Sequence, residues 1–305
     1  MEHNHHHFND NGDNGVDLSA PITRIIITIL LNFLIAFVEV IGGLLSHSLS
    51  LLSDAFHNLN DAIAIIISYI ALRLGRKPKS YRNTFGLKRA EILAAVFNAG
   101  TMMVICIFLI KEAYMRFISP KPIRGGMMII IAVIGLVANI IGTWLLKKDS
   151  KENLNIRSAY IHLLGDTVSS VAVIAGGIFI ITLNIYWIDP LLTILISLYI
   201  LYESYGILKE AIDILMMRTP EYISMKEIKK EIENVSQIKN IHHVHIWRLD
   251  EKNIHFEAHV EVSDMRVSET ESILKRIEER LQDNFGITHI TLQFETDKCS
   301  NKELV

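Results

Sequence analysis

Six apolar runs, at roughly 22–45, 49–74, 90–110, 123–146, 158–183 and 187–207, dominate this chain. Each is close to the ~20 residues needed to cross a hydrocarbon core. Inside a bilayer every backbone N–H and C=O must find its partner within the protein, so runs of this length are expected as membrane-spanning helices. Hydrophobic residues make up 50% of the sequence, a share that agrees with that reading. The turns between the first two runs and between the last two are very short, so each pair is expected as an antiparallel hairpin. The first twenty residues are polar and His-rich, so no cleavable signal peptide is expected. Clustered His3, His5, His6 and His7 read as a flexible metal-gathering tail, with an appended tag as the duller alternative. The net charge of −3 says nothing about nucleic acid, which is not expected as a partner, and the charges gather in the tail, the loops and the C-terminal third.

Orientation follows from the basic residues. Arg73, Arg76, Lys77, Lys79, Arg82, Lys88 and Arg89 crowd the loop after the second run, and Lys147, Lys148, Lys151 and Arg157 the loop after the fourth. The positive-inside rule makes that side cytoplasmic, and an even number of spans then puts both termini there. One opposite loop departs from the rule, with Lys111, Arg116, Lys121 and Arg124 near Pro120. A multi-pass cell-membrane protein is the expectation.

Within the second and fifth runs the same spacing occurs twice, as His57-x-x-x-Asp61 and His162-x-x-x-Asp166. Four residues is about one helical turn, so each His and Asp share a helix face. Ionisable groups at membrane depth are costly and mark an ion pathway or its partner. Two such pairs on antiparallel helices bring His57 opposite Asp166 and Asp61 opposite His162. Two imidazoles and two carboxylates are a donor set that suits tetrahedral Zn²⁺. Asp54, one turn closer to the outside, reads as a mouth residue rather than a ligand, with a helix-start carboxylate exposed to water as the alternative. Glu39, Asn32 and Asn98 read as cavity-lining groups or bonds between helices.

From about residue 209 the apolar period changes. MKEIKKEIENV reads as an amphipathic helix, NIHHVHIWRLD and NIHFEAHVEVS as strands joined by a turn at 250–253, and SETESILKRIEERLQDNFG as a second helix. That helix is expected to begin at a capping box of Ser268 and Glu271 and to end at Gly286. ITHITLQFE closes as a third strand. The order αββαβ predicts one sheet with both helices on one face. Histidines 242, 243, 245, 255, 259 and 289 cluster here. Simple alternation places 243 and 245 on one face and 242 on the other. His242, His259 and Glu295, from three strands, form the best candidate for a second, regulatory metal site. Cys106 reads as a small membrane hydrophobe and Cys299 as either a tail thiol or an auxiliary ligand, with no disulfide implied. The expected organisation is a disordered tail at 1–20, a six-helix transmembrane domain at 21–208 and a cytosolic metal-binding domain at 209–305.

The stretches SLSLLSDAFHNLNDAIA, TFGLKRAEILAAVFNAG, SAYIHLLGDTVSSVAVIAGG, YWIDPLLTILISLYIL and IHHVHIWRLD resemble the cation diffusion facilitators. Within that family the likeness is to the bacterial zinc, cadmium and cobalt efflux branch, itself similar to animal zinc transporters. The resemblance implies a homodimer, six spans, a ferredoxin-like cytosolic domain and proton-coupled export. It carries the transport site onto His57, Asp61, His162 and Asp166. It also implies that cytosolic metal stabilises the paired C-terminal domains. Some members have a histidine site in the loop between the second and third spans; KSYRNTFGLKRAE has no histidine, so none is expected here.

The expected function is therefore efflux of divalent metal, foremost Zn²⁺ and also Cd²⁺ or Co²⁺, against protons, in a chain surrounded by lipid and without an organic cofactor. A membrane-bound metal sensor signalling through the C-terminal domain is the alternative. An intramembrane metalloenzyme is disfavoured, because no H-E-x-x-H helix occurs and four protein ligands leave no open coordination position.

Overall fold

The computed structural model describes residues 19–147, 154–299 and 302–305. The His-rich segment 1–18 and the basic Lys148 and Lys151 lie outside the described residues. Six long helices come first: α1 (Ser19–Ser46), α2 (Leu49–Gly75), α3 (Ala90–Ile118), α4 (Gly125–Leu146), α5 (Leu154–Leu183) and α6 (Ile188–Leu215). Five of them contain stretches long and apolar enough to cross a membrane, and α1 adds the apolar segment Asn32–Ser46. The chain is a multi-pass membrane protein. Helices α3 and α6 outrun the apolar segments expected at 90–110 and 187–207. At 29 and 28 residues each is about 42 Å long, against a hydrocarbon core of about 30 Å, so their charged ends continue the helix beyond the apolar layer.

The residues group into two compact units, one containing α1, α2 as far as Ala62 and Ile105–Ile200, the other Ile63–Val104 and Leu201–Val305. In the first unit α4 packs against α5 and α1. The packing is inside-out relative to a soluble protein. Small residues such as Ala36, Ala55, Ala113 and Ala132 are buried, whereas Phe37, Phe108, Val137 and Val168 face outward. Arg116, one of the basic residues that break the positive-inside pattern, is not a free loop charge. It pairs with Glu112 at 3.3 Å and donates to the His47 carbonyl at the α1–α2 turn, closing that hairpin.

The second unit carries the C-terminal domain: α7 (Met225–Glu233), β1 (Ile238–Arg248), β2 (Ile254–Val262), α8 (Val267–Phe285) and β3 (His289–Glu295). The sheet order is β1-β2-β3, with β1 and β2 antiparallel and β2 and β3 parallel. A parallel neighbour needs a crossover, which α8 supplies. Ile228 and Ile232 of α7 and Ile273, Ile277 and Leu281 of α8 share one core with Ile241, Phe256, Ala258 and Val260 of the sheet. Both helices thus cover one face, and the other is left to polar side chains. The N-terminus of α8 corrects the expectation of a Ser268–Glu271 box. The helix starts at Val267, and it is Glu269 that accepts from the Arg266 backbone N–H at 2.8 Å. The spacing fits either start, and the structure takes the earlier one. Gly286, at φ 67°, ends the helix as expected, because that left-handed conformation has no Cβ to strain it.

Candidate metal centres

Two clusters of metal-ligating side chains occur among the described residues, one in each unit. In the first, the four-residue step of α2 puts His57 and Asp61 on one face, and α5 does the same for His162 and Asp166. His162 Nε2 lies 2.9 Å from Asp61 Oδ2, and His57 Nε2 lies 3.6 Å from Asp166 Oδ1. Within each helix the His–Asp distances are 3.4 and 3.6 Å. Donor atoms of His57, Asp61 and His162 all lie within 4.8 Å of one another. The imidazole rings meet edge-on, with centroids 5.3 Å apart. Asp166 is only 3% exposed, and its Oδ2 has no hydrogen-bond partner. A buried carboxylate oxygen without a donor is expensive unless a cation or proton visits it.

Around this cluster the structure places polar groups whose roles the spacing alone did not reveal. Asp54 is not the water-exposed helix-start carboxylate that the sequence left as an alternative. It is buried and accepts from Ser169 Oγ of α5 at 2.7 Å, which ties α2 and α5 together one turn from His57. Glu39 of α1 accepts from Asn58 Nδ2 at 2.9 Å. A Cβ at position 135 would collide with the Glu39 carboxylate, so only Gly135 lets α4 approach there. Asp189, at the start of α6, had no role assigned from sequence. Its carboxylate accepts from the backbone N–H of Leu49 and Ser50 and from the hydroxyls of Ser48 and Ser50, at 2.6 to 3.1 Å. It is an N-cap for α2 supplied by another helix. The signal was the hydroxyl-rich turn Ser46-His-Ser-Leu-Ser, which needed an acceptor.

The second cluster lies on the polar face of the C-terminal sheet. His242 and His259 are direct cross-strand partners, and Glu295 ends β3 beside them. His242 Nε2 is 3.0 Å from Glu295 Oε1, and His259 Nδ1 is 3.5 Å from Glu295 Oε2. Simple alternation put His242 on the opposite face from His245, and the structure corrects this. Between His242 and His245 the register slips by one residue against β2, with His243 at φ 56°. A β-bulge of this kind sets two residues against one and returns both histidines to the same face. Cys299 joins the cluster, its Sγ 3.3 Å from Glu295 Oε2 and 3.6 Å from His259 Nδ1. Donor atoms of all four residues lie within 4.8 Å of one another. Burial disfavours an ionised Glu295, but the Cys299 hydrogen bond and the charges of His242 and His259 together hold its carboxyl below the usual range. The same bond to Glu295 pushes the Cys299 thiol up. His255 and His289 sit apart from this group, with ring centroids 4.5 Å from each other and Trp247 stacked on His255.

A cation efflux transmembrane domain model matches residues 25–216, and a cation efflux protein, cytoplasmic domain model matches 220–297. The chain is 41% identical over 263 residues to the cadmium, cobalt and zinc/H(+)-K(+) antiporter of Bacillus subtilis, covering 85% of this chain and 84% of that one. It is 40% identical over 303 residues to the zinc transporter ZitB of Pectobacterium atrosepticum, covering 99% and 91% of the two chains. The metal cation efflux system protein CzcD of Cupriavidus metallidurans is 36% identical over 271 residues, 89% of this chain and 85% of its own. With both domain models matched in order along the six-helix and αββαβ architecture, the chain belongs to the cation efflux family and is a transporter rather than an enzyme.

Proposed function

We propose that this chain exports Zn²⁺, and with it Cd²⁺ or Co²⁺, from the cytoplasm in exchange for protons, with His57, Asp61, His162 and Asp166 as the transport site. The observation that carries the reading is the pairing of two imidazoles with two carboxylates from α2 and α5, at 2.9 and 3.6 Å. Metal binding needs neutral imidazole and ionised carboxylate, so metal and protons compete for the same atoms. A site that opens alternately to each side converts this competition into exchange. The names of the relatives, which mention zinc, cadmium, cobalt and H⁺, agree with it. A membrane-bound sensor would have no use for four ionisable groups at this depth.

The basic loop between α2 and α3 and the match of 220–297 to a cytoplasmic domain support placing both termini in the cytoplasm. The outward-facing Phe37, Phe108 and Val168 contact lipid in this reading. Metal flux into sealed vesicles under a set pH gradient tests the function. Zn²⁺ uptake into inside-out vesicles is expected to follow an acidic lumen and to release protons; flux indifferent to the gradient would refute the exchange. In the same assay His57→Asp replaces a nitrogen donor by oxygen and is expected to shift preference from Zn²⁺ toward Cd²⁺ or Mn²⁺. An unchanged ranking of the metals would assign selectivity to other residues.

His242, His259 and Glu295 serve in this reading as a regulatory zinc site in a homodimer. His242 Nε2 and Glu295 Oε1, both buried and both without a hydrogen bond, fit a metal. A metal that binds only the paired arrangement stabilises it by about 2.7 kcal/mol at 100 times Kd, roughly a hundredfold in a dimer equilibrium. The double change His242→Ala and His259→Ala is expected to remove most of this gain while leaving basal export intact. Sedimentation of the full-length protein in detergent, with and without zinc, measures it. Equal zinc-dependent association in both proteins would place the regulatory site elsewhere.

A further inference from the structure

We propose that Cys299 is the fourth ligand of a closed cytosolic metal site with His242, His259 and Glu295, and that its thiolate makes this site select Cd²⁺ and Zn²⁺ over Mn²⁺. The inference rests on the regulatory reading of the histidine–glutamate trio. It adds a ligand, a geometry and a selectivity.

The geometry starts from His242, which is 1% exposed. Its Nδ1 lies 3.1 Å from Asn240 Oδ1. An amide oxygen only accepts, so Nδ1 carries a proton and faces Asn240, which leaves Nε2 directed at Glu295 Oε1, 3.0 Å away. Neither atom has a hydrogen-bond partner. A histidine whose outer nitrogen is fixed by a carbonyl group is the usual arrangement of an imidazole ligand.

The chain beyond β3 is held so that Cys299 hangs over this point. Asp297 adopts φ 54°, which reverses the chain just after Glu295. Lys302 is anchored to Glu261 at 2.9 Å and to Asp297 at 3.0 Å. The final residues then dock on β1, where the N–H groups of His243 and Val244 donate to the carbonyls of Glu303 and Leu304 at 3.2 and 2.8 Å. The bulge that brings His242 into the site also presents these N–H groups to the tail. Cys299 is thereby fixed from both sides, with its Sγ near both Glu295 and His259.

Two nitrogens, one oxygen and one sulfur complete a tetrahedral shell with no place for water, the form of a structural or sensing site rather than a catalytic one. Binding replaces the thiol proton by the metal and releases that proton to solvent. A thiolate favours soft and borderline ions over the oxygen-preferring Mn²⁺. The transport site has no sulfur donor, so the two sites rank metals differently. Cd²⁺ and Zn²⁺ engage the cytosolic site at concentrations where Mn²⁺ does not.

Cobalt(II) is the probe, because a thiolate ligand adds a near-ultraviolet charge-transfer band that nitrogen and oxygen ligands do not. The experiment uses full-length protein in detergent, with Asp61→Ala and Asp166→Ala silencing the membrane site. The band is expected in this parent, unchanged by Cys106→Ser and abolished by Cys299→Ser. Competition should show Cd²⁺ affinity reduced roughly tenfold or more by Cys299→Ser, with Mn²⁺ unaffected. A band that survives Cys299→Ser overturns the proposal. So does its absence in a parent whose cobalt binding is lost on His242→Ala, a result that leaves the regulatory trio standing. Cobalt binding indifferent to His242→Ala overturns both the proposal and the regulatory reading beneath it.

Discussion

Asp166→Ala, and equally Asp61→Ala, is expected to abolish zinc export while leaving the protein in the membrane. Each change removes one of only two carboxylates among the four proposed ligands. Asp166 is the more telling, because it is buried and faces both His57 and His162 at 3.6 Å. Losing a group that merely orients a ligand costs ten- to a hundredfold in metal affinity, so losing a charged ligand should cost more than about a hundredfold. Inside the bilayer no water or neighbouring carboxylate can take its place without its own desolvation cost. Flux in reconstituted vesicles, normalised to the amount of inserted protein, is the measurement. Wild-type flux in either variant would remove these residues from the transport site.

The second large effect is on assembly of the bundle rather than on the metal. Asp189→Ala leaves two backbone N–H groups and two serine hydroxyls at the start of α2 without their acceptor, in a place where Asp189 is 0% exposed. Each buried group left unpaired costs about 1–3 kcal/mol, and the serines can recover part by bonding one another. A net loss of roughly 3–5 kcal/mol is expected, a large share of the stability of an ordinary domain. Loss of α2's cap also loosens the helix that carries His57 and Asp61, so transport falls even in the fraction that remains folded. Asp189→Asn keeps an acceptor oxygen and should lie between the two. Thermal unfolding in detergent measures the difference. An Asp189→Ala protein as stable as wild type would show that water or the serines replace the cap without penalty.

The two His-x-x-x-Asp steps were legible because helix geometry is local: residues four apart share a face whatever surrounds them. The places of the six apolar helices and the αββαβ order followed for the same reason, since hydrophobic pattern reports which side of an element is covered, whereas the charged extensions of α3 and α6 left no apolar mark. The choice between Glu269 and Glu271 as the cap of α8 was not legible: each stands three residues after a possible N-cap position, and the structure takes Glu269 on the Arg266 N–H.

On β2 plain alternation holds, with Phe256, Ala258 and Val260 in the core and His255 and His259 at the positions between. On β1 the same rule failed at His242, because a bulge is decided by pairing with the neighbouring strand and leaves no mark on the strand's own pattern. Cys299 and Asp189 show the same division. Each is a single polar residue whose partners are distant in sequence: a histidine 40 positions away for the one, and helix-start N–H groups about 140 positions away for the other. The sequence by itself determined which segments cross the membrane, which side chains share a helix face and which elements make the C-terminal sheet. Only the tertiary structure decided which face His242 takes, that Asp54 is bound by Ser169 and what Asp189 caps, because these depend on contacts between segments that the chain order leaves open.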